Sequence, residues 1–216
     1  MRRQKQGLPA KANSGIASAI ETLRNGGVIA YPTDTVYGLG CDAYNEAAVE
    51  RVFQAKRRPL SMAVPLLASD IDMLRSAASG IPDLALALAR RFMPGALTLI
   101  LLKSSRVPDI VTAGGDTVAL RIPGHPVPQA LASGLGSPIV GTSANLSGKP
   151  SPVTAVEVRV QLGDRIDAII EGQCFGGVES TIVDMTGMAP RLAREGAIKR
   201  QTIEEAFGRI FPPAER

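Results

Sequence analysis

The sequence predicts an α/β protein whose sheet is largely buried. Segments with the apolar spacing of amphipathic helices alternate along the chain with short apolar runs, of which 97–102 and 118–122 are the most continuous. Alternation of this kind is typical of a sheet that is covered by helices. The 216 residues contain no repeat, low-complexity tract or linker, so a single domain is expected.

Residues that can cap a helix indicate where several of the predicted helices begin. Asn45 is expected to cap a helix that ends at Lys56, and Thr154 with Glu157 has the spacing of a capping box. Helices are predicted from Asn13 or Ser14 to Leu23, from Asn45 to Lys56, after Ser69, over 83–92, from Pro126 to Ser133, after Thr154, and at a last cap formed by Thr202 and Glu205.

Short apolar runs give the predicted strands. Pro65 lies within one of them and has no N–H to donate to a neighbouring strand, so that strand is expected at a sheet edge. The strands are predicted at 28–31, 63–67, 97–102, 118–122, 138–140, 166–170 and 181–184.

Composition narrows the class of protein. The net charge is +4 and the pI about 9.3, which fits an anionic ligand such as a nucleotide or RNA and equally fits a solvated Arg-rich surface. Cys41, Cys174 and the single histidine, His125, predict neither a zinc site nor a structural disulfide. No apolar run is long enough for a signal peptide or a membrane helix. We therefore expect a cytoplasmic protein without membrane contact.

Two nucleotide motifs are incomplete in this chain. The segment 38–43 matches the dinucleotide pattern G-x-G-x-x-A, but cations rather than an acid follow it, and its glycines are expected to form a tight turn. The segment from Ser143 to Lys149 resembles a P-loop, but Ser143 replaces its first glycine and Pro150 its last hydroxyl residue. Neither NAD binding nor a Walker A loop is predicted.

Two polar clusters point instead to an anion-binding cleft. Lys56-Arg57-Arg58-Pro59 places three cations after a helix, and the extended chain at Pro59 would direct Lys56 and Arg58 to one side, facing solvent. The loop from Thr142 to Ser151 offers hydroxyl and amide groups that suit phosphates or hydrated Mg²⁺. The alternatives are a solvated helix end, where cations suit the dipole, and a solvated Ser/Asn turn.

Arg121 lies within the apolar run 118–122, where a charge needs a partner. Either it faces a ligand carboxylate or phosphate at a strand end, or it pairs with an internal Asp or Glu. The single histidine, His125, is expected in a loop and allows no catalytic triad, and no pair of carboxylates stands out. A cationic, hydroxyl-rich site acts by positioning and charge neutralisation, which suits phosphoryl or nucleotidyl transfer.

Seven segments, in order over about residues 14–200, together resemble the YrdC/Sua5 family. They are Val28-Ile29-Ala30-Tyr31-Pro32-Thr33-Asp34-Thr35-Val36-Tyr37-Gly38-Leu39-Gly40, Lys56-Arg57-Arg58-Pro59, Pro94-Gly95-Ala96-Leu97-Thr98, Val118-Ala119-Leu120-Arg121-Ile122-Pro123, Ser143-Ala144-Asn145-Leu146-Ser147-Gly148, Ser180-Thr181-Ile182-Val183-Asp184 and Arg194-Glu195-Gly196.

The resemblance implies a twisted mixed sheet flanked by helices, with a large positively charged concave cleft. It also implies a nucleotidyltransferase, an L-threonylcarbamoyladenylate synthase, that converts L-threonine, bicarbonate and ATP with Mg²⁺ into threonylcarbamoyl-AMP and pyrophosphate. A tRNA threonylcarbamoyl transferase and its accessory proteins would then move the threonylcarbamoyl group to adenosine 37 of tRNAs that read ANN codons.

The family motifs also imply roles for particular residues. The K-x-R and S-x-N motifs make Lys56, Arg58, Ser143 and Asn145 the implied catalytic residues, which would hold the ATP phosphates with Mg²⁺; no direct protein ligand to the metal is assigned. The implied threonine contacts are Thr33, Arg121 and Ser180, and the further nucleotide contacts are Thr117, Ser151 and Arg194.

The chain departs from the family pattern at two places. A histidine that some members carry after K-x-R-P is missing from 63–67, so another group, such as the backbone, must contact threonine there. Glu195 stands where R-P-G has proline, which adds a negative charge near Arg194. The resemblance further implies a flexible N-terminus at 1–12, a single YrdC-like domain at 13–216 and no C-terminal Sua5 domain.

Two other functions compete with the synthase. A module that binds double-stranded RNA or tRNA would use the basic cleft, and its affinity would fall with salt; an aromatic content of 4% disfavours stacking on single strands. A carbamoyl-adenylate-forming paralogue, such as the hydrogenase-maturation carbamoyltransferase that contains this domain, would keep the fold and change the substrate. Retention of Lys56, Arg58, Ser143 and Asn145 favours the synthase.

Overall fold

The computed structural model describes residues 10–212, and helices and strands alternate along this range. The prediction of a flexible segment at 1–12 therefore falls mostly outside the described residues. The helices are α1 (Ala10–Arg24), α2 (Glu46–Lys56), α3 (Ile71–Ala77), α4 (Asp83–Phe92), α5 (Asp109–Thr112), α6 (Pro126–Leu135), α7 (Ala155–Leu162) and α8 (Arg200–Phe207). The strands are β1 (Ile29–Tyr31), β2 (Gly38–Gly40), β3 (Leu66–Leu67), β4 (Leu97–Leu102), β5 (Thr117–Arg121), β6 (Ile139–Val140), β7 (Thr142–Ser143), β8 (Ala168–Ile169), β9 (Thr181–Asp184) and β10 (Arg191–Arg194).

The strands form two mixed sheets. The smaller sheet has the order β7-β2-β1-β8, in which β1 is antiparallel to β2 and parallel to β8. The larger sheet has the order β10-β9-β4-β5-β3-β6, in which β4 is antiparallel to β5 and parallel to β9. Only Gly141 separates β6 of the larger sheet from β7 of the smaller one, so the chain passes directly between the sheets there. The predicted α/β class with mixed pairing is confirmed.

Local signals placed most helix ends correctly. Asn45 caps α2 by accepting the N–H of Ala48 at 3.1 Å, and Thr154 and Glu157 form the predicted capping box of α7. Three predicted caps are wrong. Asn13 and Ser14 lie inside α1, which begins at Ala10. Asp70 rather than Ser69 caps α3, and Thr202 lies inside α8, which begins after Lys199 without a side-chain cap.

The strand after the K-x-R-P segment was predicted at a sheet edge, and that prediction is wrong. β3 lies between β5 and β6 in the interior of the larger sheet. Pro65 precedes the two paired residues, and its carbonyl accepts the N–H of Gly141 at 2.8 Å. The missing N–H of proline therefore falls just outside the strand pairing, which leaves Leu66 and Leu67 free to pair on both sides.

The glycines of the G-x-G-x-x-A segment do not form the expected tight turn. Gly38 and Gly40 belong to β2, the central partner of β1 and β7. A Cβ on Gly38 would overlap the ring of Tyr31, and a Cβ on Gly40 would overlap the carbonyl oxygen of Val140. These positions need glycine because other groups approach the backbone closely.

Two apolar clusters stabilise the sheets. The larger cluster includes β4 and β5 and packs against α2 and α4, and its members Leu97, Leu99 and Leu120 have no exposed surface. The smaller cluster joins α1 and α6 over β1, through residues such as Leu23 and Leu131. Among the residues described, no helix has both the length and the apolar character that crossing a membrane requires.

Candidate active site

A cavity of about 370 Å³ opens where the two sheets meet. The smaller sheet contributes residues of β2 and β7, and the larger sheet contributes residues of β3, β4, β5, β9 and β10. Its charged lining consists of three arginines and one carboxylate, and hydroxyl side chains make up most of the rest of its polar surface. The charged residues, serines and threonines of the lining are Thr33, Thr35, Arg58, Thr98, Arg121, Thr142, Ser143, Glu179, Ser180 and Arg194.

Arg121 lies at the carboxyl end of β5, where its guanidinium is held by three acceptors. Nη2 donates to Asp34 Oδ1 at 2.6 Å, Nη1 donates to Thr35 Oγ1 at 3.2 Å, and Nε donates to the carbonyl of Gly95 at 2.9 Å. The Arg121 side chain is 8% exposed and that of Asp34 14%, so the pair is largely buried. Of the two sequence-based alternatives, the internal ion pair is present, and Arg121 lines the cavity as well. Two of its five N–H groups remain for a ligand.

Thr33 belongs to the turn that carries Asp34 and Thr35. Its hydroxyl donates to the carbonyl of Val36 at 2.7 Å and accepts the N–H of Thr35 at 3.0 Å, so the turn is closed by side-chain hydrogen bonds. The polar Thr-Asp-Thr sequence after Pro32 is typical of such a turn. The turn thereby holds Asp34 Oδ1 and Thr35 Oγ1, the two side-chain oxygens that accept hydrogen bonds from Arg121.

Lys56 does not face solvent, which corrects the prediction made for it. The side chain is 2% exposed, and Nζ donates to the carbonyls of Ser143 and Asn145 and to Asn145 Oδ1. Ser143 Oγ in turn donates to Asn145 Oδ1 at 2.5 Å. Burial lowers the pKa of Lys56 to about 8, Arg58 acts in the same direction and Glu179 opposes it. Lys56 therefore fixes the S-x-N turn behind the cavity, and Ser143 is the member of this cluster that lines it.

Arg58 lines the cavity, and the backbone conformation of Arg57 changes the direction of the chain just before it. Arg57 ends α2 in the left-handed conformation, with φ 52°, so Lys56 and Arg58 do not share the extended geometry expected of them. Arg58 donates to the carbonyls of Met62 at 3.1 Å and of Ala63 at 2.8 Å. Partial burial lowers the pKa of Arg58 from its ordinary value.

A second hydrogen-bonded cluster lies around Ser180 and Arg194. Ser180 Oγ lies 2.8 Å from Thr98 Oγ1, and the guanidinium of Arg194 donates to the Ser180 carbonyl at 3.0 and 3.1 Å. Arg194 also forms an ion pair with Glu179, whose other carboxylate oxygen accepts from Ser151 Oγ at 3.2 Å. β9 and β10 are neighbouring strands, which is why Ser180 and Arg194 meet.

The negative charge expected beside Arg194 comes from a different residue. Glu195 turns away toward α8, where it accepts the N–H of Arg200 at 3.1 Å and pairs with Lys199 at 3.3 Å. Glu179 takes its place at Arg194, although it was not among the residues predicted from the sequence. The signal available in the sequence was its position, because Glu179 directly precedes the family segment that begins at Ser180.

The other residues that were predicted to contact a ligand lie outside the cavity wall. Thr117 begins β5 and shares a face with Ala119 and Arg121, but it is not part of the cavity wall. Ser151 and Asn145 are not part of the wall either; Ser151 hydrogen-bonds to the wall residue Glu179, and Asn145 accepts from the wall residue Ser143. His125 lies outside the wall, where it caps α6 and stacks against Phe175 with ring centroids 5.6 Å apart. Burial lowers the pKa of His125.

The wall segment 63–65, where some relatives carry histidine, is apolar in its side chains. Ala63, Val64 and Pro65 line the cavity there, next to Leu67. Arg58 donates to the carbonyl of Ala63, and Thr142 and Ser143 of β7 belong to the same cavity lining. The lining therefore combines apolar side chains at 63–65 with a guanidinium and two hydroxyl groups.

The lining accounts for the chemistry that this site can perform. Guanidinium groups and hydroxyls donate to carboxylates and phosphates, and the guanidinium groups are held in place by hydrogen bonds to backbone carbonyls and side chains. Among the residues described, no group of His, Cys, Asp and Glu side chains could hold a metal ion by itself. The Glu179 carboxylate and the nearby hydroxyls are oxygen donors of the kind that Mg²⁺ accepts, so they fit a cation that also binds phosphate oxygens. Fold and site together define a mixed α/β protein with an arginine- and hydroxyl-lined cavity between its sheets.

Comparison with known proteins identifies the family. A model of the Sua5/YciO/YrdC family, described as "Telomere recombination", matches residues 21–196. The threonylcarbamoyl-AMP synthase of Pyrococcus abyssi is 43% identical over 87% of this chain, and that of Bacillus subtilis is 45% identical over 90%. The crystal structure of P. abyssi Sua5 complexed with L-threonine superimposes with a TM-score of 0.88 and covers 92% of this chain at 43% identity. The chain belongs to the Sua5/YciO/YrdC family.

These relatives are longer than this chain. The matches span 56% of the P. abyssi synthase, 57% of the B. subtilis synthase and 59% of the crystallised Sua5 chain. The similarity therefore concerns the domain that carries the cavity.

Proposed function

We propose that this chain is a threonylcarbamoyl-AMP synthase, which joins L-threonine, bicarbonate and ATP. The observation that carries the proposal is the cavity itself, because anchored Arg121 and the cluster of Ser143, Arg58 and Arg194 line one space. Such a space holds an amino acid carboxylate and a polyphosphate together. The names of the relatives and the threonine in the matched crystal structure support the same substrates.

The proposed reaction has two steps that the site can promote by positioning. The threonine amine forms a bond to the carbon of bicarbonate and water leaves, which gives a carbamate. A carbamate oxygen then bonds to the α-phosphorus of ATP, the bond from that phosphorus to the β-bridging oxygen breaks, and its electron pair leaves with pyrophosphate. Arg58, Arg194 and Ser143 stabilise the charge on the phosphates, and Mg²⁺ supplies further neutralisation when it is bound.

Arg121 orients the amino acid in this scheme. Its two free N–H groups bind the threonine carboxylate, while Thr33 and Ser180 lie in the same wall as partners for other threonine groups. The adenylate product is an activated acyl donor, which a tRNA threonylcarbamoyl transferase with its accessory proteins consumes. Lys56 and Asn145 support Ser143 from behind, and Thr117 and Ser151, which lie outside the cavity wall, are proposed as nucleotide contacts from their family motifs alone.

Threonine-dependent pyrophosphate release tests the proposal. The assay contains ATP, bicarbonate and Mg²⁺ with or without L-threonine, and mass spectrometry identifies the adenylate. We expect release only with threonine, together with a product of the mass of threonylcarbamoyl-AMP. If pyrophosphate is not released, or if its release does not depend on threonine, the proposed reaction is wrong.

Arg58 provides the matching variant test, because its side chain is half-exposed and reaches the cavity. Arg58→Ala is expected to lower turnover by about 100-fold or more, as removal of a charge-stabilising donor does in other enzymes. Arg75→Ala removes an arginine that pairs with exposed Asp72 and is not among the residues that line the cavity. Equal turnover of the two variants would remove Arg58 from the phosphate site.

A further inference from the structure

Glu179 is the single acidic side chain among the described residues that line the cavity. It lies in the same wall as Arg58, Ser143 and Arg194, the groups proposed above to hold a polyphosphate. A carboxylate at that place repels phosphate oxygens, because like charges a few ångströms apart interact unfavourably. Its presence therefore needs an explanation that the proposed reaction does not supply.

The contacts of Glu179 show what it competes for. One carboxylate oxygen pairs with Nη1 of Arg194, and the other accepts the hydroxyl of Ser151 at 3.2 Å. Both partners are proposed nucleotide contacts, so the carboxylate occupies the donors that a phosphate would use. The Glu179 side chain is 42% exposed and that of Arg194 41%, so a ligand can reach the pair from the cavity.

We propose that Glu179 is a specificity-determining residue that makes nucleotide binding depend on a divalent cation. Without a cation, phosphate groups must compete with the carboxylate for Arg194 and Ser151 and also approach its negative charge. With Mg²⁺, the carboxylate becomes an oxygen partner of a cation that the phosphates share, and the repulsion becomes attraction. The same residue selects against metal-free anions such as free pyrophosphate. The inference rests on the proposed function, since it concerns the nucleotide side of that site.

Binding of ATP with and without the cation tests this role. Isothermal titration of the full chain gives the Kd of ATP in excess Mg²⁺ and in EDTA, at equal ionic strength. Glu179→Gln keeps the shape and an acceptor oxygen while it removes the charge. We expect this variant to bind metal-free ATP at least about fivefold more tightly than the wild type, which is the lower end of typical coupling between ligands. The ratio of the Kd in EDTA to the Kd in Mg²⁺ should shrink by at least this factor, because the variant also loses an oxygen partner of the cation.

Two further variants distinguish an effect of the Glu179 charge from an effect of its structural contacts. Glu195→Gln removes a neighbouring carboxylate that faces α8 instead of the cavity, and it should leave both Kd values unchanged. Ser151→Ala breaks the hydrogen bond to Glu179 but keeps the charge. It should weaken ATP binding by a similar factor in Mg²⁺ and in EDTA, so that its Kd ratio stays at the wild-type value.

The outcomes distinguish this inference from the proposed function. ATP binding with the same magnesium dependence in the wild type and in Glu179→Gln would overturn the role of Glu179 alone. A Glu179→Gln variant that binds ATP more weakly under both conditions would make the residue a structural anchor of Arg194, and this also overturns the inference. If the wild type does not bind ATP even with Mg²⁺, the proposed function and the inference both fail.

Discussion

At the scale of single residues, the pairing of Arg121 with Asp34 decides how the cavity is built. Arg121 is the last residue of β5 and follows three apolar residues. Its charge is compensated by the carboxylate of Asp34, 87 positions earlier in the chain. Removing one partner of a buried pair leaves the other charge uncompensated. Breaking the pair is therefore expected to destabilise the fold and to release the guanidinium from its fixed direction.

Asp34→Asn should lower the free energy of unfolding by about 3 to 5 kcal/mol, because it leaves Arg121 buried without its counter-charge. Urea denaturation followed by circular dichroism measures the change. Asp72→Asn is the control, since Asp72 pairs with Arg75 through a side chain that is 93% exposed, and its effect should stay within about 0.5 kcal/mol. Similar values for both variants would mean that Arg121 does not depend on Asp34.

Lys56 predicts a pH dependence of stability with a definite sign. Its pKa is about 8 in the folded chain and near the ordinary value of 10.5 in the unfolded one, so the unfolded state binds the extra proton between these values. The free energy of unfolding therefore rises with pH across this window, and the unfavourable burial of the charge is fully present below pH 8.

The stability difference between the wild type and Lys56→Met isolates this effect from other titrating groups. We expect the difference, wild type minus variant, to increase from pH 8 to pH 10.5 in urea titrations. A difference that is flat or falls across this range would show that Lys56 keeps its proton in the folded chain. The three acceptors around Nζ are then sufficient to hold the ammonium form.

At the scale of elements, close backbone approach is the feature that local sequence signals describe least well. β2 consists of two glycines around Leu39 and lies between two strands, although glycine is unfavourable in strands. The segment was interpreted as a turn because glycine usually marks one. Only the positions of Tyr31 and Val140, which come from elsewhere in the chain, explain why side chains are excluded there.

Gly40→Ala should destabilise the chain by more than about 3 kcal/mol, because the new Cβ would overlap the backbone of Val140. Gly15→Ala is the matched comparison. Gly15 lies in α1, nothing lies within 4 Å of an added Cβ, and the substitution should stabilise the helix by about 0.5 to 1 kcal/mol. Thermal unfolding of both variants shows whether each substitution lowers or raises the stability of the chain. A Gly40→Ala variant as stable as the wild type would contradict the close packing of β2 against β6.

Other elements followed directly from the sequence. The bounds of α4, β4 and β9 agree with the predicted ranges, and the caps of α2 and α7 involve the predicted side chains. These elements have strong local signals, either a capping side chain or a continuous apolar run. β7 and β10 were not predicted, because two polar residues in one and an exposed, arginine-rich sequence in the other resemble loops.

At the scale of the whole molecule, the cavity exists only because two sheets meet. Its wall includes residues from Thr33 to Arg194, and both sheets contribute. A ligand that binds there contacts the folded arrangement of both sheets and has no equivalent site in the unfolded chain. Ligand binding and folding are therefore thermodynamically linked.

Saturating ligands should raise the midpoint of a single unfolding transition. At about 100 times its Kd, ATP with Mg²⁺ should add about 2.7 kcal/mol to the free energy of unfolding. Differential scanning calorimetry with and without the ligand measures this shift. A ligand that moved only one of two separate transitions would show that the sheets unfold independently and that the site does not link them.

The sequence by itself determined the α/β class and the family, and it pointed to six of the residues that line the cavity, namely Thr33, Arg58, Arg121, Ser143, Ser180 and Arg194. Segments such as Lys56-Arg57-Arg58-Pro59 and Ser180-Thr181-Ile182-Val183-Asp184 carry that information locally, in their order and residue types. The tertiary structure decided which of these residues reach the cavity, because burial and pairing depend on residues distant in the chain. It turned Lys56 inward to hold Ser143, paired Arg121 with Asp34, and placed Glu179 rather than Glu195 beside Arg194.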